Sequence, residues 1–229
     1  MTNEMNTEIE QPKLEKPSLF GMIMNPREQF EKIRENPKII VALIIVTLLT
    51  IVGMLLMMNG IDFMNDPNLA GMSEEEMMMV TMFSQIGFVI VGVFTPVITL
   101  LISSVVHIII AKIVRSEVTF KQLFSMNTYI FIISAISMIV NGIVFMMIGG
   151  DPEKLFTSLN SIIGAEGILG AVLNSIEVFT IWGLIITAMG LQIVARFSKG
   201  LSWAVVIVFF IVGLIFQMIS AGFNTMMGV

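Results

Sequence analysis

One histidine, one isolated carboxylate and a handful of amides are the side chains of this sequence that could do chemistry inside apolar surroundings. His107 stands about one turn ahead of Lys112 and could carry a proton near neutral pH. Five residues span only about 7.5 Å of helix, so His107 reads first as a packed or hydrogen-bonded group near an interface and only second as a proton relay. Glu177 follows Asn174 by three residues, and the nearby outer half-spans hold no basic residue apart from the loop residue Lys154. Such a carboxylate is either shallow and hydrated, a protonated acid hydrogen-bonded between helices, or a site for a coupling ion or proton. Asn141 lies within another apolar run, and Asn127, Gln85, Gln192 and Gln217 lie in or beside others. Amides in such runs more often hold helices together than bind substrate.

Metal chemistry has little to stand on. Met72, Met77, Met78, Met79 and Met82 cluster, and thioethers can hold copper(I). The 21 methionines are spread over every apolar segment, however, which fits adaptable packing better than a local site. Asp62, Asp66 and Glu74 to Glu76 could attract calcium but lack a ligand-loop spacing. There is no cysteine, so disulfides, thiolate ligands and cysteine nucleophiles are excluded. No G-x-S-x-G, H-E-x-x-H or Gly-rich nucleotide loop occurs. The chain is read as no enzyme: no catalytic residue, no metal ligand and no cofactor is assigned.

The elements that must position these groups are apolar spans. Hydrophobic residues make up 56% of the chain and charged ones 13%, against about 25% charged in soluble domains. The expected fold is all-α and polytopic: a disordered polar tail over residues 1–17, then one membrane domain over 18–229. Spans are expected at about 39–58, 77–114, 126–148, 175–194 and 201–226. Asn25-Pro26 with Glu28 predicts an amphipathic helix to about Glu35 on the membrane surface. A second is expected after Asp151-Pro152, where Leu155, Phe156, Leu159, Ile162 and Ile163 recur at helical spacing. Gly164, Gly167 and Gly170 loosen the stretch that follows.

Eleven of the twelve Lys and Arg residues sit in three stretches: six from Lys13 to Lys38, three at Lys112, Arg115 and Lys121, and two at Arg196 and Lys199. Basic residues beside spans stay cytoplasmic, so the amino terminus is expected inside and the carboxyl terminus outside. The run from Met77 to Val114 could be a hairpin turning at Pro96 or one long helix. A turn at Phe94-Thr95-Pro96-Val97 has no Gly, Asn or Asp and would invert the charge pattern downstream. One helix, kinked at Pro96 or protruding at its ends, is therefore expected. The basic face made by Arg27, Lys32, Arg34, Lys38, Lys112, Arg115, Lys121, Arg196 and Lys199 is the expected docking surface for lipid headgroups or a partner. No basic patch carries a nucleic-acid motif.

Three pieces of the sequence together resemble the Yip (Ypt-interacting protein) domain family. Pro26-Arg27-Glu28-Gln29-Phe30, with Ile33-Arg34 and Pro37, is similar to its entry segment. Val118-Thr119-Phe120-Lys121-Gln122-Leu123 is similar to its second cytoplasmic loop. Val178-Phe179-Thr180-Ile181-Trp182, followed by Gly190-Leu191 and Ser198-Lys199-Gly200, resembles its fourth-span signature, with Glu177 where the family often has Asp. The resemblance covers residues 18–229 and implies five spans. It also implies a membrane role without known catalytic residues: eukaryotic relatives bind small GTPases, and some bacterial relatives accompany ABC-type exporters.

The expected function is thus a non-catalytic accessory or assembly factor of a plasma-membrane complex, such as an ABC-type exporter serving export of, or protection from, toxic peptides. The lipid bilayer and exporter subunits are the expected partners, and a homo-oligomer is left open. The alternative is a small transporter or channel with a polar path through Glu177 and His107.

Overall fold

The structure is a computed structural model that describes residues 15–61, 69, 71–149 and 154–227. Most of the expected polar tail, Asp62, Asp66 and the Asp151-Pro152 cap lie outside those residues. The described chain is helical, with no β-strand. Its elements are α1 (Leu19–Met24), α2 (Pro26–Glu35), α3 (Ile40–Asn59), α4 (Glu74–Ile113), α5 (Phe120–Ile130), α6 (Ile132–Ile148), α7 (Asn160–Ile163), α8 (Gly167–Ser175), α9 (Val178–Ile193) and α10 (Lys199–Met227).

Four described stretches are long and apolar enough to cross a bilayer: Ile40–Asn59, Glu74–Ile113, Phe120–Ile148 and Lys199–Phe223. A fifth apolar helix, α9, has only 16 residues. The run around Pro96 is one helix of 40 residues, about 60 Å long at 1.5 Å per residue. Its start is fixed by a capping box, with Glu76 accepting from the Ser73 N–H at 2.7 Å and the Glu76 N–H donating to Ser73 Oγ at 3.3 Å. A proline ring crowds the carbonyl four residues back, and that residue is Gly92. Both Gly92 and Pro96 are buried; Gly92 packs on Ile51 of α3.

Two expected boundaries move. The loop after Arg115 ends at Thr119, not Ser125, because Thr119 and Gln122 form a second capping box that starts α5. The amphipathic helix expected over Leu155–Ile163 does not form. Residues 154–159 are irregular, and only the four residues of α7 are helical. Asn174 accepts from the Leu155 N–H, Asn141 from the Thr157 N–H, and the Ser158 hydroxyl donates to the Leu155 carbonyl, backbone groups that a helix would use, the competition by which short polar side chains displace helix.

The apolar core gathers at the end of the bundle that holds the basic residues. Met22, Phe30 and Ile33 are buried there among Leu123, Met126, Leu191, Val194 and Phe197. Contrary to the expectation of a helix lying on lipid, α2 turns its apolar face into the protein. Along the middle of the spans, Ile44, Ile90, Val208 and Phe216 are exposed. Lipid makes no demand to bury them, so helices there associate by close packing instead. The most extensive pair is α3 with α6, which touch at Gly53 and Gly142. A Cβ on Gly142 would lie 2.8 Å from the Gly53 carbonyl oxygen and 3.0 Å from Leu56 Cβ. Backbone cannot yield as a side-chain tip can. Gly142→Ala is therefore expected to cost about 1–3 kcal/mol as overpacking, read as a lower melting temperature in detergent.

Candidate functional site

Glu177 is not inside a helix. The fourth span, expected over about 175–194, starts at Val178 instead: a break separates it from α8, and Glu177 is the N-cap of α9. Both helices pack on α10: Gly222 approaches Ile168, and Ser175 donates to Gln217 at 2.7 Å. The connection before α8 meets the break, with Ser158 and Glu177 paired in an isolated antiparallel bridge and the Leu159 N–H donating to the Ile176 carbonyl at 2.9 Å. Irregular backbone of this kind is tolerated at membrane depth only where protein covers it.

The Glu177 carboxylate is 2% exposed and accepts four hydrogen bonds. Ser137 Oγ and Thr157 Oγ1 donate to Oε1 at 2.6 and 2.7 Å. The Thr180 N–H and hydroxyl donate to Oε2 at 2.9 and 2.8 Å. Asn141 completes the cluster, its amide nitrogen donating to Thr157 Oγ1 at 2.9 Å and its oxygen accepting from the Thr157 N–H at 3.1 Å. Asn174 sits beside it, accepting from the Leu155 N–H and the Ser158 hydroxyl at 3.0 and 2.9 Å. Ser137 lies eleven residues from the end of α6, about 16 Å into the span. The hydroxyl donors Ser137, Thr157 and Thr180 were not singled out in the sequence. Their signals are faint: Ser137 and Asn141 share one helix face four residues apart, and Thr180 follows Glu177 at capping distance.

His107 belongs to a separate cluster. Asn127 Nδ2 lies 2.8 Å from Ser104 Oγ, to which it donates, and 3.3 Å from His107 Nδ1. The imidazole is 3% exposed and rests 5.2 Å from the Phe209 ring. A cavity of about 610 Å³ runs from His107 and Asn127 past Ser134 and Thr187 to Asn174, Ser175, Thr180 and Gln217. Glu177 is not among its lining residues, although Thr180, which donates to it, is. The methionines Met78, Met79 and Met82 are exposed along α4 and converge on nothing. Among the described residues, no group of three His, Asp or Glu side chains is placed to hold a metal.

The basic residues divide by role. Arg27 pairs with Glu31, and Lys32 with Glu15 and Glu28. Arg34, Arg115 and Arg196 line one cleft of about 790 Å³ with Glu117 and Ser198. Lys38 and Lys121 line another of about 650 Å³ with Lys16 and Tyr129. Lys112 and Lys199 are exposed. The arginine cleft is pinned by long-range bonds: Ser116 Oγ donates to the Ala195 carbonyl at 2.6 Å and Gln122 Nε2 to the Arg34 carbonyl at 2.7 Å.

The ion pairs of α2 set a pH window. Hydrogen bonding to Lys32, and then that ammonium's charge, holds the Glu28 carboxyl below its usual 4.5. Hydrogen bonds to Glu15 and Glu28 hold Lys32 above its usual 10.5. The depressed carboxyl contributes stability above its unfolded value and loses it as pH falls through the folded one; the raised ammonium contributes below its unfolded value and loses it as pH rises through the folded one. The contribution is expected to be flat between roughly pH 5 and pH 10 and weakened by salt, as thermal melts across pH and ionic strength would read.

Long apolar helices, buried polar clusters satisfied from within and cations gathered at one end define a multi-pass α-helical membrane protein. The sequence comparison narrows the class: the chain belongs to the Yip1 domain family, whose domain matches residues 20–221. It is 33% identical over 217 residues to the protein called Membrane protein YknW of Bacillus subtilis (strain 168), covering 93% of this chain and 94% of that one. No solved structure matches it. Residues carrying the resemblance meet in space. The Phe30 ring lies over Gly190, and Phe179 stacks on Trp182 with centroids 6.4 Å apart; Phe120 packs outside its motif, on Phe124 one turn on, at 5.9 Å.

Proposed function

We propose that this chain is a non-catalytic accessory or assembly subunit of a larger plasma-membrane complex, with an ABC-type exporter for toxic peptides as the favoured partner. The observation that carries the reading is how polarity is spent. Among the described residues no buried side-chain nitrogen or oxygen lacks a partner. Glu177, Asn141, Asn174 and His107 are engaged within the bundle, whereas Arg34, Arg115 and Arg196 make no ion pair among the described residues and face outward at one end. The basic end is taken as cytoplasmic, with the amino terminus inside and the carboxyl terminus outside. Because the chain has no cysteine, single-cysteine variants Ser198→Cys and Ser73→Cys test this directly. The first should react with an impermeant maleimide only after the membrane is opened, and the second in intact cells. Extraction in mild detergent at native expression should recover a stoichiometric membrane partner. Purification as a lone monomer would sink the assembly reading.

A second reading, a small transporter or channel, draws on the broken α8–α9 span and the cavity beside it, since discontinuous helices frame many transport sites. Flux into proteoliposomes that is abolished by His107→Phe would favour it. Absence of flux for any ion or small solute removes it.

A further inference from the structure

We propose that the cleft between α2, the α4–α5 turn and the α9–α10 turn binds the phosphate of an anionic phospholipid headgroup through Arg34, Arg115 and Arg196. The proposal rests on the orientation argued above, with the basic end at the cytoplasmic leaflet, and not on the assembly role.

Three arginines line this cleft against one acidic residue, Glu117. None of the three forms an ion pair among the described residues, although the neighbouring cations Arg27 and Lys32 on α2 both do. A planar guanidinium matches two phosphate oxygens at once, and charges left unpaired beside one another repel until an anion joins them.

The backbone at two of the three positions points the same way. Arg115 has φ 58° and Arg196 φ 56°, and they are the non-glycine residues with positive φ among those described. Arg115 follows α4 in a Schellman turn: its N–H donates to the Lys112 carbonyl at 3.2 Å and that of Ser116 to Ala111 at 2.8 Å. Glycine is the usual occupant of that position because it alone takes left-handed angles without cost. Arg196, three residues past the end of α9, takes the same left-handed conformation, and the Phe197 N–H beside it reaches back to the Leu191 carbonyl at 3.1 Å. The positive charges offset the negative helix ends beneath them, but a lysine or arginine one turn earlier would do that without strain. Two left-handed positions in the connections that follow α4 and α9 thus carry arginine where glycine fits better, and both arginines line the same cleft.

Location selects a membrane lipid over a soluble phosphate. The cleft lies where α4 and α9 end and α10 begins, and each is an apolar helix. The cleft therefore sits where the spans leave the hydrocarbon, at headgroup level.

The test uses the full chain exchanged into micelles holding equal amounts of phosphatidylglycerol and phosphatidylcholine, with bound lipid quantified after removal of excess. The parent should retain phosphatidylglycerol preferentially. Arg115→Gly with Arg196→Gly should lower that preference about tenfold, or 1.4 kcal/mol. The melting temperature should hold or rise, because glycine relieves both left-handed positions. If the double variant fails to fold, Arg34→Gln, which leaves the turns intact, should still weaken retention. Unchanged preference in a folded double variant, or in Arg34→Gln, overturns the proposal. So does loss of bound lipid on adding millimolar inorganic phosphate, which would make a soluble phosphate the ligand. Maleimide labelling and partner capture are read without reference to lipid, so failure of either larger reading is seen separately.

Discussion

Glu177→Leu is expected to remove about 3–5 kcal/mol of stability, the summed cost of leaving several part-buried donors without their acceptor, and to leave little protein extractable in folded form. Four donors lose their acceptor at once: the hydroxyls of Ser137, Thr157 and Thr180 and the Thr180 N–H that starts α9. Ser137 and Glu177 are buried, and Thr157 and Thr180 are half-buried, so water can replace the lost acceptor only in part. Hydrogen bonds between membrane helices average less than this per bond, about 0.6 kcal/mol, so the prediction depends on four converging on a helix cap that also holds the Thr157–Ser158 connection. Glu177→Gln discriminates. Its oxygen can still accept from Ser137 and Thr157, but its NH₂ would oppose two donors at Thr180, so about 1–2 kcal/mol should be lost. Melting followed by circular dichroism in detergent should rank parent, Gln and Leu in that order. A Leu variant that melts with the parent would show that the cluster does not hold the fold. If Glu177 instead served as a coupling site, both variants would fold alike and differ from the parent only in flux.

What the sequence exposed and what it hid divide along a physical line. Signals carried by neighbours in the chain were readable. The Ser73–Glu76 box marks the start of α4, and the stretch around Pro96 has no Gly, Asn or Asp to make a hairpin turn there. The Asn36-Pro37 stop after α2 likewise leaves its end at Glu35. Signals that depend on distant partners were not. Ile176 and Glu177 fall inside the outer end of the span expected over about 175–194, because their flanks are apolar. Only the hydroxyls of Ser137 and Thr157, 40 and 20 residues away, make a break there worth more than a continued helix. Leu155 to Ile163 has helical periodicity, and it is overridden by Asn141 and Asn174 reaching in from other segments. The close approach of α3 and α6 uses one glycine from each helix, Gly53 and Gly142, so no G-x-x-x-G spacing advertises it. The basic residues were readable as a face, but the split between paired Arg27 and Lys32 and the arginines of the cleft needed the fold.

Gly190→Leu is expected to lift α2 off the bundle, at a cost of about 3–5 kcal/mol, the range for losing a large aromatic from a core. A Cβ on Gly190 would fall 2.9 Å from Met126 Sδ and 3.0 Å from the edge of the Phe30 ring. The Met126 sulfur can swing aside, but Phe30 is fully buried beside Ile33 and Leu123 and has nowhere to go. The cheaper movement is of α2 as a whole, since its polar face is already in solvent. That movement would break the Gln122–Arg34 bond and take Arg34 out of the cleft, so a substitution in α9 should act on a surface that it does not touch. Trypsin should then cut at Lys32 and Arg34 in Gly190→Leu while sparing the parent, with Gly190→Ala between them. Phe30→Ala alone should also expose those sites, by withdrawing the anchor instead of displacing it. If Gly190→Leu is no more cleavable than the parent, α2 is held by its ion pairs and not by this contact, and the meeting of Phe30 with Gly190 loses the role given it here.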